Sequence, residues 1–427
     1  MGLSSWLAQR DPQYILQRGL NLLQRYRLNP NLAMERVERI VNILAEYECV
    51  PTFPTPGVVI ERRPEYFREL QNRGVEFSVH SYYHVDLKNR SPESARDQLL
   101  RAADTFRQHG LEVHGFRCPY LSWSEALLET LSAGTFEYSS NQAVKWDVNI
   151  DSITQRQAVN FGIIDDLYVP QSAGEKVCVP WRQANLIEIP VCVPDDLQLY
   201  DGLQLPIEEM IKVWMRVLHM THQRGELFTL MFHPELVDVC EQIFPVLLQE
   251  TKSLKPNVWV ACLRDISAWW QEKEEFRVEF ISAESGLKVE FHCTDRATIL
   301  SRGLVLLGEA WAGNYQRVKE RRMDLPAGIR PFVGLPKLVP QQVCQFLKEQ
   351  GYILDLSDQA SQCTIYLELE TLENLKSEVA LIEYIEKMDT PLLKFWRWPD
   401  GYKSALCISG DLDALTLWDY MTRLYAH

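Results

Sequence analysis

The chain has 427 residues, 46% of them hydrophobic, enough to bury a large core and to make two or three domains. Its 44 Lys and Arg stand against 58 Asp and Glu, a net charge of -14, and no basic block forms a phosphate-tracking stripe, so no nucleic-acid partner is expected. The ten cysteines lie singly, without a C-x-x-C pair, and read as thiols of a reducing compartment. No apolar h-region follows Met1 and nowhere do about 18 apolar residues run together, so a cytoplasmic protein is expected.

From the N-terminal end, Gln13 to Leu28 carries Leu16, Leu20 and Leu23 at helical spacing, with Arg18, Arg25 and Arg27 around them. This is an amphipathic helix with a basic flank, which either packs on its own domain or makes a peripheral membrane contact. A helix is predicted from Met34 to Tyr47, then Pro51-Thr52-Phe53-Pro54, then a helix from Glu65 to Arg73 ended by Gly74. Strand-like Val75 to Val79 follows at once. Up to about Trp270, short apolar runs (His114 to Arg117, Leu186 to Val191, Phe228 to Phe232, Val258 to Cys262) alternate with helical segments such as Pro92 to His109 and Ile207 to His222. That alternation predicts a parallel α/β architecture with its chemistry at the C-terminal ends of the strands. The charged run Gln271 to Glu275 marks a boundary; beyond it, Arg277 to Ile281 and Leu287 to His292 alternate as a hairpin would, and Gln341 to Gln350 is helical.

Three segments carry chemistry. His80-Ser81-Tyr82-Tyr83-His84 places two histidines four apart after a predicted strand, so that on one face of a helical turn both imidazoles reach a single ion at about 2.0–2.1 Å. Arg117-Cys118-Pro119-Tyr120 puts a guanidinium at another strand mouth, well suited to fix a catalytic carboxylate. Near the far end, an apolar strand from Ser404 runs into Asp411-Leu412-Asp413 and a helix-like stretch from Leu415 to Leu424; alone, such a pair reads as a helix N-cap. His109, His114 and His292 have no partner at ligand spacing, His219 and His222 lie within a helix, and Asp195-Asp196 reads as a turn. The aromatic group from Phe395 to Trp398 reads as packing ahead of a Pro-Asp-Gly turn.

H-S-x-x-H followed by R-x-P-Y resembles the second and third motifs of the polysaccharide deacetylases, the NodB-homology or carbohydrate esterase family 4 enzymes. Pro51 to Pro54 and Pro64 to Leu70 resemble that family's strand and helix before the histidines. Trp146-Asp147 loosely matches its fourth motif, and Phe232-His233-Pro234-Glu235 its fifth. The aspartate pair that opens the family's pattern is absent before His80; Asp411 and Asp413 supply it. The resemblance therefore implies an α/β fold: a distorted (β/α) barrel of NodB type, circularly permuted, with a second, smaller α+β domain. Residues 1–274 would form the main part of the barrel, 275–390 the smaller domain, and 391–427 a segment returning to complete the barrel.

The implied site holds a divalent metal, Zn2+ by expectation, on Asp413, His80 and His84. Asp411 is its general base for metal-activated water, Arg117 orients Asp411, the Tyr120 N–H meets the oxyanion, and His233 protonates the leaving amine. Ser81 would brace His84, and Asp147 would steady His233. The implied substrate is an N-acetylated sugar or a lipid-linked saccharide. Two alternatives stay open: the same metal site acting on a non-sugar amide, and a non-catalytic carbohydrate-binding protein. The intact Asp411 argues against the second, since binding alone needs no base.

Overall fold

A computed structural model describes residues 26, 28–148, 150, 153–283, 286–326, 328, 330–359 and 363–425. The expected opening helix, Gln13 to Leu28, lies outside them except for Tyr26 and Leu28. The first helix described, Pro30–Glu46, begins earlier than the apolar spacing suggests. The Asn29 side chain accepts the Asn31 N–H at 3.0 Å, and Pro30 occupies the first turn, where no N–H is needed. Among the described residues no helix is long and apolar enough to cross a membrane.

Among the described residues, twelve short strands make the main sheet: β1 (Thr52–Thr55), β2 (Glu76–Val79), β3 (Gly115–Phe116), β4 (Tyr138–Ser139), β5 (Ala143–Lys145), β6 (Gln171–Ser172), β7 (Trp181–Gln183), β8 (Leu186–Glu188), β9 (Val191–Val193), β10 (Leu227–Phe232), β11 (Val258–Val260) and β12 (Ser404–Gly410). Apart from β7 with β8, every pairing in it is parallel. One arc runs β1, β2, β3, β4. The other runs β5, β9, β10, β12 and back to β1.

The two arcs join because β4 and β5 are one run bent at residues 140–142, lying against a second bent run, β8 and β9. The Ile189 N–H donates to the Ser139 carbonyl at 2.8 Å, and the Val191 N–H to the Gln142 carbonyl at 2.9 Å. At the bend the ladder is interrupted, and the buried Glu188 carboxylate accepts the Asn141 and Gln142 N–H groups at 2.6 and 2.7 Å. Buried backbone donors are rarely left unpaired, and here a side chain takes over from the sheet. The sheet thereby curls into the distorted (β/α) barrel expected, with β12 seated between β10 and β1.

β12 is buried along its whole length. It pairs with β10 from Ala405 to Gly410, with β11 at its start, and with β1 at Ser409. Its last residue has no room for a side chain: a Cβ on Gly410 would stand 2.6 Å from the Phe232 ring and 2.7 Å from that of Phe53. Gly410→Ala is expected to push β12 off its neighbours and cost about 1–3 kcal/mol in a denaturant melt. An unchanged midpoint would show that the rings can move aside.

Beyond β11 the helix Leu263–Glu274 leads to the antiparallel pair Arg277–Ala283 and Gly286–His292. Ile299–Arg302 pairs with Leu392–Phe395, just past the boundary expected at 390. A shared core joins Leu227, Ala405 and Cys407 of the barrel to Leu300, Val333, Leu347 and Trp398, so the smaller part packs on the N-terminal ends of the strands. All ten cysteines are free, so no disulfide staples the fold.

Candidate metal centre and active site

His80 follows the end of β2, and the chain then forms a loop, not the helical turn expected from the four-residue spacing. Ser81 and His84 have φ of 58° and 54°, left-handed values that cost each residue on the order of 1–3 kcal/mol. The Ser81 Oγ accepts the His84 N–H at 2.9 Å and holds this loop, so Ser81 does contact His84, through its backbone. His80 Nδ1–H donates to the Arg117 carbonyl at 2.8 Å. Its Nε2 is buried without a hydrogen-bond partner, 3.6 Å from Asp413 Oδ1 and 3.9 Å from Asp411 Oδ2. His84 Nε2 lies 2.8 Å from Asp413 Oδ1.

Ligand atoms of His80, His84 and Asp413 fall within 4.8 Å of one another. Burial, with the positive charge of Arg423, lowers His84 to about 3 against the pull of Asp413, so the imidazole is neutral at ordinary pH. Burial alone would raise Asp413, but His84, His80 and Arg423 hold it well below the usual carboxylate range. A neutral imidazole on His84 and an ionised carboxylate on Asp413 suit the donor set of a catalytic zinc-type ion. A buried ring nitrogen with no partner is costly unless something meets it, and that orphan on His80 is what fits these residues to a metal.

Asp411 directly follows β12. Its N–H donates to the Phe232 carbonyl at 2.9 Å, and its Oδ1 accepts from Arg117 Nη1 at 2.5 Å. Arg117 is wholly buried; its Nε donates to the Ser140 carbonyl at 3.0 Å and its Nη2 to Ser140 Oγ at 2.9 Å. The guanidinium therefore fixes Asp411 by one oxygen. Tyr120 sits two residues past Cys118 in a left-handed turn, φ 61°, with its ring 4.9 Å from that of His84.

His233 follows β10, but Asp147 does not reach it. Asp147 is exposed and lines a surface cleft with Lys145 and Asp165. The acid on His233 is Asp196, whose carboxylate accepts the His233 N–H at 2.6 Å and Nδ1–H at 2.8 Å. Asp195-Asp196, expected to be a mere turn, thus belongs to the site. The sequence held a signal for it: an acid just past an apolar parallel run, the same arrangement that marks Asp411 and Asp413. Burial and the neighbouring Asp196 push Asp195 up to about 7, and its carboxylate accepts from the Tyr168 hydroxyl at 2.7 Å and the Gln198 N–H at 2.8 Å. His233, Asp195 and Asp196 also cluster closely enough for an ion, yet these hydrogen bonds already occupy the carboxylates.

A residue with no local sequence signal completes the mouth. Arg423 Nη1 donates to the Tyr120 hydroxyl at 3.0 Å, and its Nη2 stands 3.6 Å from Asp413 Oδ2. The histidines read as structural stay so: His222 contacts Ser404 Oγ at 2.9 Å and His219 lies 3.1 Å from Glu250.

Residues 30–139 match the polysaccharide deacetylase family. Over 113 residues it is 30% identical to the chitooligosaccharide deacetylase of Sinorhizobium fredii (strain NBRC 101917 / NGR234), a match covering 26% of this chain and 50% of the relative. The chain thus spans about half the length of the curated relative it matches. A Mycobacterium smegmatis structure assigned to the polysaccharide deacetylases superposes with TM-score 0.42 at 21% identity, covering 57% of this chain and 79% of that one. The Puue allantoinase structure superposes with TM-score 0.41 at 14% identity, covering 55% and 72%. Likenesses of this degree carry no argument about the site. His233, Asp411 and Asp413 lie outside the family match.

Proposed function

We propose that this protein is a divalent-metal-dependent hydrolase that removes acetyl from an N-acetylated sugar, with Zn2+ as its metal. The observation that supports it most is the division between the two aspartates: Asp413 Oδ1 lies against both imidazoles, while Asp411 is held on Arg117. Held by His80, His84 and Asp413, a divalent ion would polarise the amide carbonyl and bring the pKa of water toward neutrality. Asp411 accepts the proton of the attacking water on Oδ2, the oxygen that Arg117 Nη1 leaves free. The Tyr120 N–H meets the developing oxyanion, a donor whose loss typically costs about 100- to 1000-fold. His233, held by Asp196, gives the proton to the leaving amine.

The same reading makes the strand order a circular permutation, in which the strand carrying the aspartates comes last in the chain and first in the family pattern. The seat of β12 beside β1 supports it. A cytoplasmic setting, argued from the scattered cysteines, favours a soluble or lipid-linked saccharide over a cell-wall polymer.

Elemental analysis should find about one zinc-like ion per chain, and acetate release from a panel of N-acetylhexosamine compounds should depend on it. Cleavage of non-sugar amides alone would move the protein to the amidases. A metal-loaded protein inert to both would leave a binding role.

A further inference from the structure

We infer that Arg423 is a positioning residue of this site: it reserves one oxygen of Asp413 for the imidazole side and ties Tyr120 to the same anchor. The inference rests on the metal reading above. Arg423 lies in the turn Thr422–Tyr425 that follows the helix Leu417–Met421. That helix is bolted to the barrel at Asp419, which caps it through Thr416 and accepts from Arg62 at 2.7 Å and Arg63 at 3.1 Å. The guanidinium rests on the Tyr420 ring at 4.0 Å, and Tyr420 packs on Tyr26 with centroids 4.9 Å apart.

From this fixed seat Arg423 touches two parts of the site. Its Nη1 donates to the Tyr120 hydroxyl at 3.0 Å; its Nη2, buried and without a hydrogen bond of its own, stands 3.6 Å from Asp413 Oδ2. The other carboxylate oxygen, Oδ1, faces His84 Nε2 at 2.8 Å and His80 Nε2 at 3.6 Å. The carboxylate is therefore sorted, with one oxygen toward the imidazoles and one toward a permanent cation. Guanidinium keeps its charge at any pH the protein meets and cannot ligate an ion, so it occupies Oδ2 without competing for the metal. Its planar fork also spans Tyr120 and Asp413 together, which a lysine ammonium at the end of a flexible stem would not do.

The full chain is loaded with cobalt(II), whose visible absorption reports coordination, as wild type, Arg423→Ala and Arg423→Lys. Arg423→Ala is expected to change the cobalt spectrum and to lower kcat for acetate release by about 10- to 100-fold, with KM within about twofold. Guanidinium added to the buffer should restore part of that kcat, and Arg423→Lys should retain less turnover than its preserved charge alone would predict. A cobalt spectrum and kcat unchanged in Arg423→Ala would overturn the inference while leaving the metal reading intact. So would a loss of turnover that tracks a lowered melting temperature and does not respond to guanidinium, since that marks a structural residue. Wild-type protein that takes up no cobalt would remove the metal reading, and the inference with it.

Discussion

Asp411→Asn is expected to keep its metal and lose turnover by about 100- to 10,000-fold, the usual contribution of a general base. Asparagine preserves an oxygen for the Arg117 bond, so the buried guanidinium keeps a partner and the barrel mouth keeps its shape. What it cannot do is accept a proton. Asp413→Ala should behave in the opposite order, because it removes the carboxylate that faces both His80 Nε2 and His84 Nε2. Metal should go first and activity with it. Elemental analysis of the two variants beside their kinetics checks this division; an Asp411→Asn protein stripped of metal, with metal retained in Asp413→Ala, would exchange the two roles.

Deleting residues 404–427 should leave no cooperatively folded barrel. β12 pairs with β10, β11 and β1, so its loss exposes strand edges on both sides of the gap. Two of its side chains, Leu406 and Ile408, are fully buried. Truncating large aliphatic side chains at such positions costs roughly 2–5 kcal/mol each, so these two alone approach the whole stability of a typical domain, about 5–15 kcal/mol. The deletion is expected to give aggregated protein without a sigmoidal melt. Soluble, metal-loaded, active truncated protein would mean that β12 is not needed to complete the sheet.

Much of the site was legible because its residues sit in short strings directly after strands. His80, His84 and Arg117 announce themselves locally, and Asp411 with Asp413 could be found by asking where the missing carboxylates were. The geometry of the histidine loop was not legible: four-residue spacing fits a helical turn, and only the left-handed Ser81 and His84 show the alternative. Asp196 reads as part of a turn, because two adjacent acids shortly after Ile189-Pro190 favour one, and its partner His233 is distant in sequence. Arg423 gave no signal at all, since its role depends on the turn after a helix meeting Tyr120 from far along the chain. The run through residues 138–145 carries no such signal, since strands of two or three residues are too short to show a period of two, and the run expected from Leu186 to Val191 does not show its break into two strands.

The position of β12 also sets a timetable for synthesis. Between the end of β10 and the start of β12 lie about 170 residues, which a ribosome adds in roughly ten to thirty seconds at typical rates of elongation. During that interval both histidines, Arg117 and His233 have already been made, and neither Asp411 nor Asp413 exists. The nascent chain must hold its unfinished sheet open for a strand still to come. On the proposed metal reading, capture of the ion by the complete donor set would therefore be a late event, reserved for a chain that has been made through Asp413.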